Sequence, residues 1–312
     1  MKKTGTMHGM GKKGFIFSAL ALIMTSIIIF FLFTGQPNQS SSDTAVSATI
    51  RLNSAINDLE KDIVRGLYIT SFRTIIAQDE TVTSRGQFLN NSQLSFNEGM
   101  INGTIEGFNA STLDNATFTD WLTKTKEIMR SRGILFSYNI TNITDFQTSY
   151  DYVSTSLEMN YTLSDYRKQR TFRRHINITV NIPVSGLDDP IYYIESLGRI
   201  TSTINFTNNT NILYLVNQSA YQTAYRNNNQ SPDYLMRLEG NFSASPYGIE
   251  SIVDGQRFLI QGITQYSGRS SIDAMYFSNR TETVVCINNT PSWFRLDTAR
   301  LGDYANDTVV SC

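Results

Sequence analysis

Phe15 to Phe33 reads FIFSALALIMTSIIIFFLF, a run without a single charge in which only Ser18, Thr25 and Ser26 are polar. As a helix rising about 1.5 Å per residue it would be roughly 28 Å long, close to the hydrocarbon thickness of a bilayer. The run therefore reads as a transmembrane helix over residues 15–33. Before it, residues 1–14 carry Lys2, Lys3, Lys12 and Lys13 and no acid. Basic flanks stay on the cytoplasmic side, so the N-terminus is expected inside the cell and the remainder outside. A cleaved secretory signal fits less well, because its apolar core spans about 7 to 15 residues and ends at a small-residue site.

The rest of the chain agrees with an external location. Charged residues are only 17% of the 312, whereas Asn, Ser and Thr number 27, 32 and 34. Uncharged hydrogen-bonding groups do the solubilising. Once the four N-terminal lysines are set aside, 22 basic residues face 27 acidic ones, which leaves no basic footprint for nucleic acid. The chain holds two histidines, His8 and His175, and two cysteines, Cys286 and Cys312. So small a set argues against zinc sites and against histidine-dependent catalysis. His175 stands beside Arg170, Arg173 and Arg174, a setting that disfavours the imidazolium a catalytic base must form. Gly9, Gly11 and Gly14 match G-x-G-x-x-G, but no strand precedes them, so dinucleotide binding is not expected. No catalytic, cofactor-binding or metal-binding residue is assigned, and the chain is not expected to be an enzyme.

Seventeen Asn-x-Ser/Thr sequons follow the apolar run, against roughly 6 expected by chance from 27 Asn and 66 Ser plus Thr. That excess points to N-glycosylation, with Asn139, Asn160, Asn177, Asn205, Asn241 and Asn279 as leading sites. Cys286 and Cys312 are even in number and lie on the same expected side, so a disulfide between them is expected, worth about 3 kcal/mol. An intermolecular bond through Cys312 is the alternative.

Hydrophobic periodicity divides the exported part. Val46, Ile50, Ile56, Leu59, Ile63, Leu67 and Ile75 recur at helical spacing, which makes residues 34–80 a helical stalk. Asn53 and Gly66 interrupt the stripe, which favours packing against a head over a free coiled coil. Residues 81–116 are polar and glycine-containing and read as a glycosylated linker. Residues 117–312 form the external domain. It begins with a helix over 117–132 ended by Gly133, and then the period changes to two. Val153 to Leu163 and Arg173 to Ile182 alternate apolar and polar, as does the shorter run from Ile134 to Ile140. Asn139, Asn160 and Asn177 all fall on the polar faces. An antiparallel sheet is predicted, two strands being joined around Ser164 to Arg167, with later strands near 212–216, 258–262, 271–277 and 283–287.

The junction Lys12-Lys13-Gly14-Phe15, followed directly by the apolar run, resembles the class III leader of archaeal type IV pilin-like proteins. So do four short segments of uncharacterised envelope proteins of that kind: Gly186 to Tyr193, Tyr247 to Ser251, Ser270 to Asp273 and Phe294 to Asp297. The resemblance implies cutting between Gly14 and Phe15 by a prepilin-type peptidase. It also implies an α+β, pilin-like fold: the transmembrane helix continues into the stalk and carries a β-rich antiparallel-sheet domain. Expected partners are bilayer lipid and other pilin-like subunits. Ala19 stands where pilins commonly carry the Glu that neutralises a neighbour's terminal amine, which favours a minor or non-assembling role. An uncut signal anchor is the plain alternative at the junction. The expected function is a single-pass, N-glycosylated surface protein with a structural, adhesive or assembly role, and the alternative is an anchored ligand- or glycan-binding ectodomain.

Overall fold

The computed structural model describes residues 39–312 except 168–169, 267, 279, 281, 305–308 and 311–312. The apolar run and the Gly14–Phe15 junction lie outside the described residues. The chain divides after Ser54 into two units, and the second, residues 55–312, contains every sheet among the described residues.

A long helix, α1 (Gln39–Arg85), contributes Ile56, Leu59, Ile63, Leu67, Ile75 and Val82 to the core, all of them buried. The three-and-four spacing of these residues explains the helix. Further along, the buried stripe turns polar, because α1 meets a second helix, α2 (Ser92–Asn102), through hydrogen bonds. Gln78 Nε2 donates to Ser92 O at 2.6 Å and to Ser95 Oγ at 3.0 Å, and Thr74 Oγ1 lies 3.3 Å from Met100 Sδ. The region expected as a linker is thus folded, with Phe96, Met100, Ile105 and Leu113 buried and a two-residue hairpin pair, β1 (Thr104–Ile105) and β2 (Phe108–Asn109). Next comes α3 (Phe118–Ser131), held by a capping box between Thr117 and Asp120 and followed by Gly133 at φ 77°. Gly66 on α1 lies under Trp121 of α3: a β-carbon there would come within 2.6 Å of the indole, so this interruption of the stripe is a packing requirement.

The three long strands are β3 (Ile134–Gln147), β4 (Tyr152–Asp165) and β5 (Thr171–Pro183), antiparallel in the order β3-β4-β5. Phe136, Ile143, Val153, Leu157, Met159, Tyr161, Leu163, Val180 and Ile182 form the buried face, and Tyr161 donates to Glu60 of α1 at 2.7 Å. The register shifts between Ile140 and Asn142. This bulge leaves Thr141 as the extra residue and turns both Asn139 and Asn142 to the outer face, although residues three apart would otherwise point opposite ways.

Beyond Pro183 the expected β-rich architecture is not found. The fold is mixed α/β, with antiparallel sheets of only two or three strands each among the described residues. Residues read as strands at 212–216, 258–262 and 271–277 fall in helices α5 (Ile212–Ser219), α7 (Gly255–Ile260) and α8 (Asp273–Phe277). Apolar runs of four or five residues carry no decisive period. Caps decide them instead: Asn211 accepts from the Tyr214 amide and Asp254 from the Gln256 amide. The remaining helices are α4 (Pro190–Glu195), α6 (Tyr234–Leu238) and α9 (Leu301–Tyr304). Two small sheets complete this part, β6 (Tyr225–Asn227) with β7 (Ile249–Ser251), and β10 (Val309–Val310), β8 (Val284–Ile287) and β9 (Leu296–Asp297) in that order. A second core of Ile212, Leu215, Val216, Ile252, Ile272, Ile287, Phe294 and Leu296 fills the space between them. The fold-class expectation fails at its other end too. No helix among the described residues is long and apolar enough to cross a membrane; α1 carries charged residues along its length.

Candidate functional site

Among the described residues, the leading sequon asparagines sit at the surface. Asn139 pairs with Asn160 across β3 and β4, and Asn160 pairs with His175 across β4 and β5, so one row of the outer face runs Asn139, Asn160, His175. Asn160 Nδ2 donates to Thr141 Oγ1 at 3.2 Å, and its Oδ1 lies 3.1 Å from His175 Nδ1. Asn177 accepts from Ser156 Oγ at 3.2 Å. Asn241 is exposed and Asn205 half-buried. Of the 17 sequons, Asn38, Asn279 and Asn306 lie outside the described residues; of the other 14 asparagines, 13 are exposed. In four of them the hydroxyl residue is nevertheless buried: Ser92, Thr117, Ser219 and Ser231. Cys286 is disulfide-bonded and pairs in register with Val310, while Cys312 lies outside the described residues. His175 is exposed, with Nε2 3.5 Å from Glu158 Oε1. Among the described residues no group of three or more His, Cys, Asp and Glu is placed to hold a metal ion.

Two fully buried arginines escaped the sequence reading, and they organise the second half of the fold. Arg237 on α6 donates through Nη1 to Asp189 Oδ2 at 2.5 Å, and through Nη2 to Asp273 Oδ2 at 3.0 Å and to the Ile249 carbonyl. Asp189 also caps α4 through the Ile191 amide at 3.1 Å and accepts from Tyr225 OH at 2.9 Å. Asp273 accepts in addition from the Ser251 amide at 3.0 Å and Ser251 Oγ at 2.6 Å. Burial opposes the charge on Arg237, but the facing carboxylates of Asp189 and Asp273 outweigh it and hold the guanidinium above its ordinary pKa. Arg300 repeats the pattern. Its Nε donates to Glu250 Oε2 at 2.8 Å, Nη1 to Asp297 Oδ1 at 3.2 Å and Nη2 to Ser231 Oγ at 3.0 Å. Asp189, Glu250, Asp273 and Asp297 come one each from the four short segments singled out in the sequence. Gly186 to Pro190 is thus a turn whose second aspartate reaches into the core.

An open cleft of about 520 Å³ includes in its lining Asn228, which is hydrogen-bonded to Glu250. Thr148, Ser149 and Tyr150 of the β3–β4 turn, Arg226 to Asn229, Pro246, Tyr247 and Asp303 line it. Asn228 ties this lining to the buried network. Asn228 Nδ2 donates to Glu250 Oε1 at 2.8 Å and to Asp303 Oδ2 at 3.1 Å, its Oδ1 accepts from the Gln230 amide at 2.9 Å, and Tyr304 OH donates to Glu250 Oε1 at 2.6 Å. The Arg226 guanidinium lies 4.6 Å from the centre of the Tyr304 ring, and its Nη1 is enclosed without a hydrogen-bond partner. Tyr150 is held edge-on to Phe206 at 5.2 Å. The volume suits a small molecule or one to a few sugar rings, sites for drug-sized ligands running from about 300 to 1,000 Å³. No family model matches the chain, and no curated protein or solved structure is similar to it.

Proposed function

We propose that this chain is a membrane-anchored, N-glycosylated protein of the outer cell surface, with an adhesive or structural rather than a catalytic role. The exposure of 13 of the 14 described sequon asparagines carries the reading. Asparagine is a surface residue in any case, so the bulge that turns Asn139 and Asn142 to one face, beside Asn160, adds an observation that composition does not supply. Bilayer lipid is the first partner under this reading, and processing between Gly14 and Phe15 by a prepilin-type peptidase, with pilin-like subunits as neighbours, belongs to it. A bridge from Cys286 to Cys312 belongs to it as well, since disulfides persist outside the reducing cytosol. Labelling intact cells with a membrane-impermeant amine reagent tests the location. Lys61, Lys124 and Lys126 are expected to be modified to the same extent as in lysed cells. Protection of these lysines until lysis would contradict it.

A further inference from the structure

We propose that the cleft beside Asn228 binds a neutral saccharide, which deepens the adhesive reading above and rests on it. The charges lining it are one of each sign, Arg226 and Asp303, and no ion pair joins them. Such a lining offers no net field to a phosphate, an acidic sugar or a cation. What it offers instead is amides and hydroxyls, groups that both donate and accept, as each hydroxyl of a sugar does. Asp303 Oδ2 is fixed by Asn228, itself buried and hydrogen-bonded to Glu250. A carboxylate so oriented accepts from the hydroxyls of a saccharide, and the Asn, Ser and Thr side chains of the lining donate to and accept from the others. Tyr150 and Tyr247 supply ring surface for the C–H faces of a pyranose, Tyr150 being held by Phe206. Asn228 and Asp303 are anchored through Glu250 to Arg300, so these two groups keep their positions without ligand and little ordering of them opposes binding.

Two sources present this chemistry: a saccharide on another molecule, or the chain's own glycan, because the sequon asparagine Asn229 lies in the cleft lining. Titration of the full chain with fluorescent neutral hexose and N-acetylhexosamine tetrasaccharides, and with sialylated and sulfated ones, tests the proposal. Wild type, Tyr247→Ala, Asp303→Asn and Asn229→Gln are compared, with thermal melting as the fold control. Expected is saturable binding of a neutral tetrasaccharide that weakens at least tenfold in Y247A and in D303N, with melting unchanged. Equal binding by wild type and N229Q assigns an external saccharide, and binding that appears only in N229Q assigns the chain's own glycan. Three outcomes overturn the proposal: no neutral saccharide bound by either wild type or N229Q, binding of acidic saccharides alone, or binding that Y247A and D303N leave intact. Surface labelling and sequon occupancy are read independently, so failure here and failure of the surface reading are distinguishable.

Discussion

Raising the pH from 5 to 7 is expected to cost the fold about 2 to 3 kcal/mol per unit, because two aspartates, one buried and one half-buried, stay largely protonated in the native state. Asp145 lies on the inner face of β3 opposite Thr155, 4% exposed, and neither carboxylate oxygen has a hydrogen-bond partner. Burial pushes its pKa up to about 7, with Glu239 adding to the rise. Asp79 on α1 is pushed up to about 8 by burial first and then by the negative charges of Asp188, Asp189 and Glu80. Both exceed the ordinary value of 3.8, so between roughly pH 4 and 7 the folded chain binds more protons than the unfolded one. Stability is therefore fully present below about pH 4 and is lost as pH rises through 7 for Asp145 and 8 for Asp79. Burial raises Asp273 and Glu195 as well, which acts in the same direction. Denaturant unfolding at pH 4.5, 6 and 7.5 reads the slope directly. Asp145→Asn and Asp79→Asn are each expected to flatten it by about 1.4 kcal/mol per pH unit. At pH 7.5 each variant gains about 2 kcal/mol over wild type once the cost of an unpaired amide is subtracted, and at pH 4.5 it gains nothing. An unchanged slope in both variants would contradict the assignment.

Arg237→Met is expected to lower stability by about 3 to 5 kcal/mol, because it leaves two carboxylates buried without their counter-ion. Asp189 would keep only the Ile191 amide and Tyr225 OH, and Asp273 only Ser251 and the Ala274 amide. Lysine does not substitute: a single ammonium cannot span Asp189, Asp273 and the Ile249 carbonyl as the forked guanidinium does. Adding Asp273→Asn to R237M removes one of the stranded charges and is expected to recover part of the loss. Equilibrium unfolding of the three proteins at pH 6 measures this; a cost below about 1 kcal/mol for R237M would show that the network is not what joins α4, α6, β7 and α8.

β4 and β5 were readable because period-two alternation over ten or more residues has no helical alternative, whereas β3 was legible only to Ile140, where the bulge at Thr141 breaks the alternation. The helix at 118–131 was readable because apolar positions, a start at Thr117 and a stop at Gly133 agree. What failed is physically coherent. The helices at 212–219, 255–260 and 273–277 are too short for periodicity, and the available sign for two of them was the Asx residue just before, Asn211 or Asp254. The stretch 81–116 looked like a linker because α2 meets α1 partly through Ser92, Ser95 and Gln78, so its buried face mixes serines with Phe96 and Met100 and shows no unbroken apolar stripe. Arg237 and Arg300 were invisible for a different reason. Their partners lie 12 to 70 residues away, except Asp297, and a buried arginine looks like a surface one until those partners are known. Glu250, Asp273 and Asp297 stood in segments that drew attention in the sequence, but nothing local said what they faced. The cleft was illegible for the same cause: its lining joins residues 148–150, 226–229, 246–247 and 303.

Peptide mass spectrometry of the protein isolated from its native source, with and without enzymatic or chemical deglycosylation, tests the central claim most directly. The surface reading predicts saccharide on the outer-face sites Asn139 or Asn142, Asn160 and Asn177, and on Asn241. It predicts lower occupancy at Asn90, Asn115, Asn217 and Asn229, whose hydroxyl residues the fold buries. Unmodified asparagine at every sequon would contradict it, leaving the excess of sequons as a by-product of a chain rich in Asn, Ser and Thr.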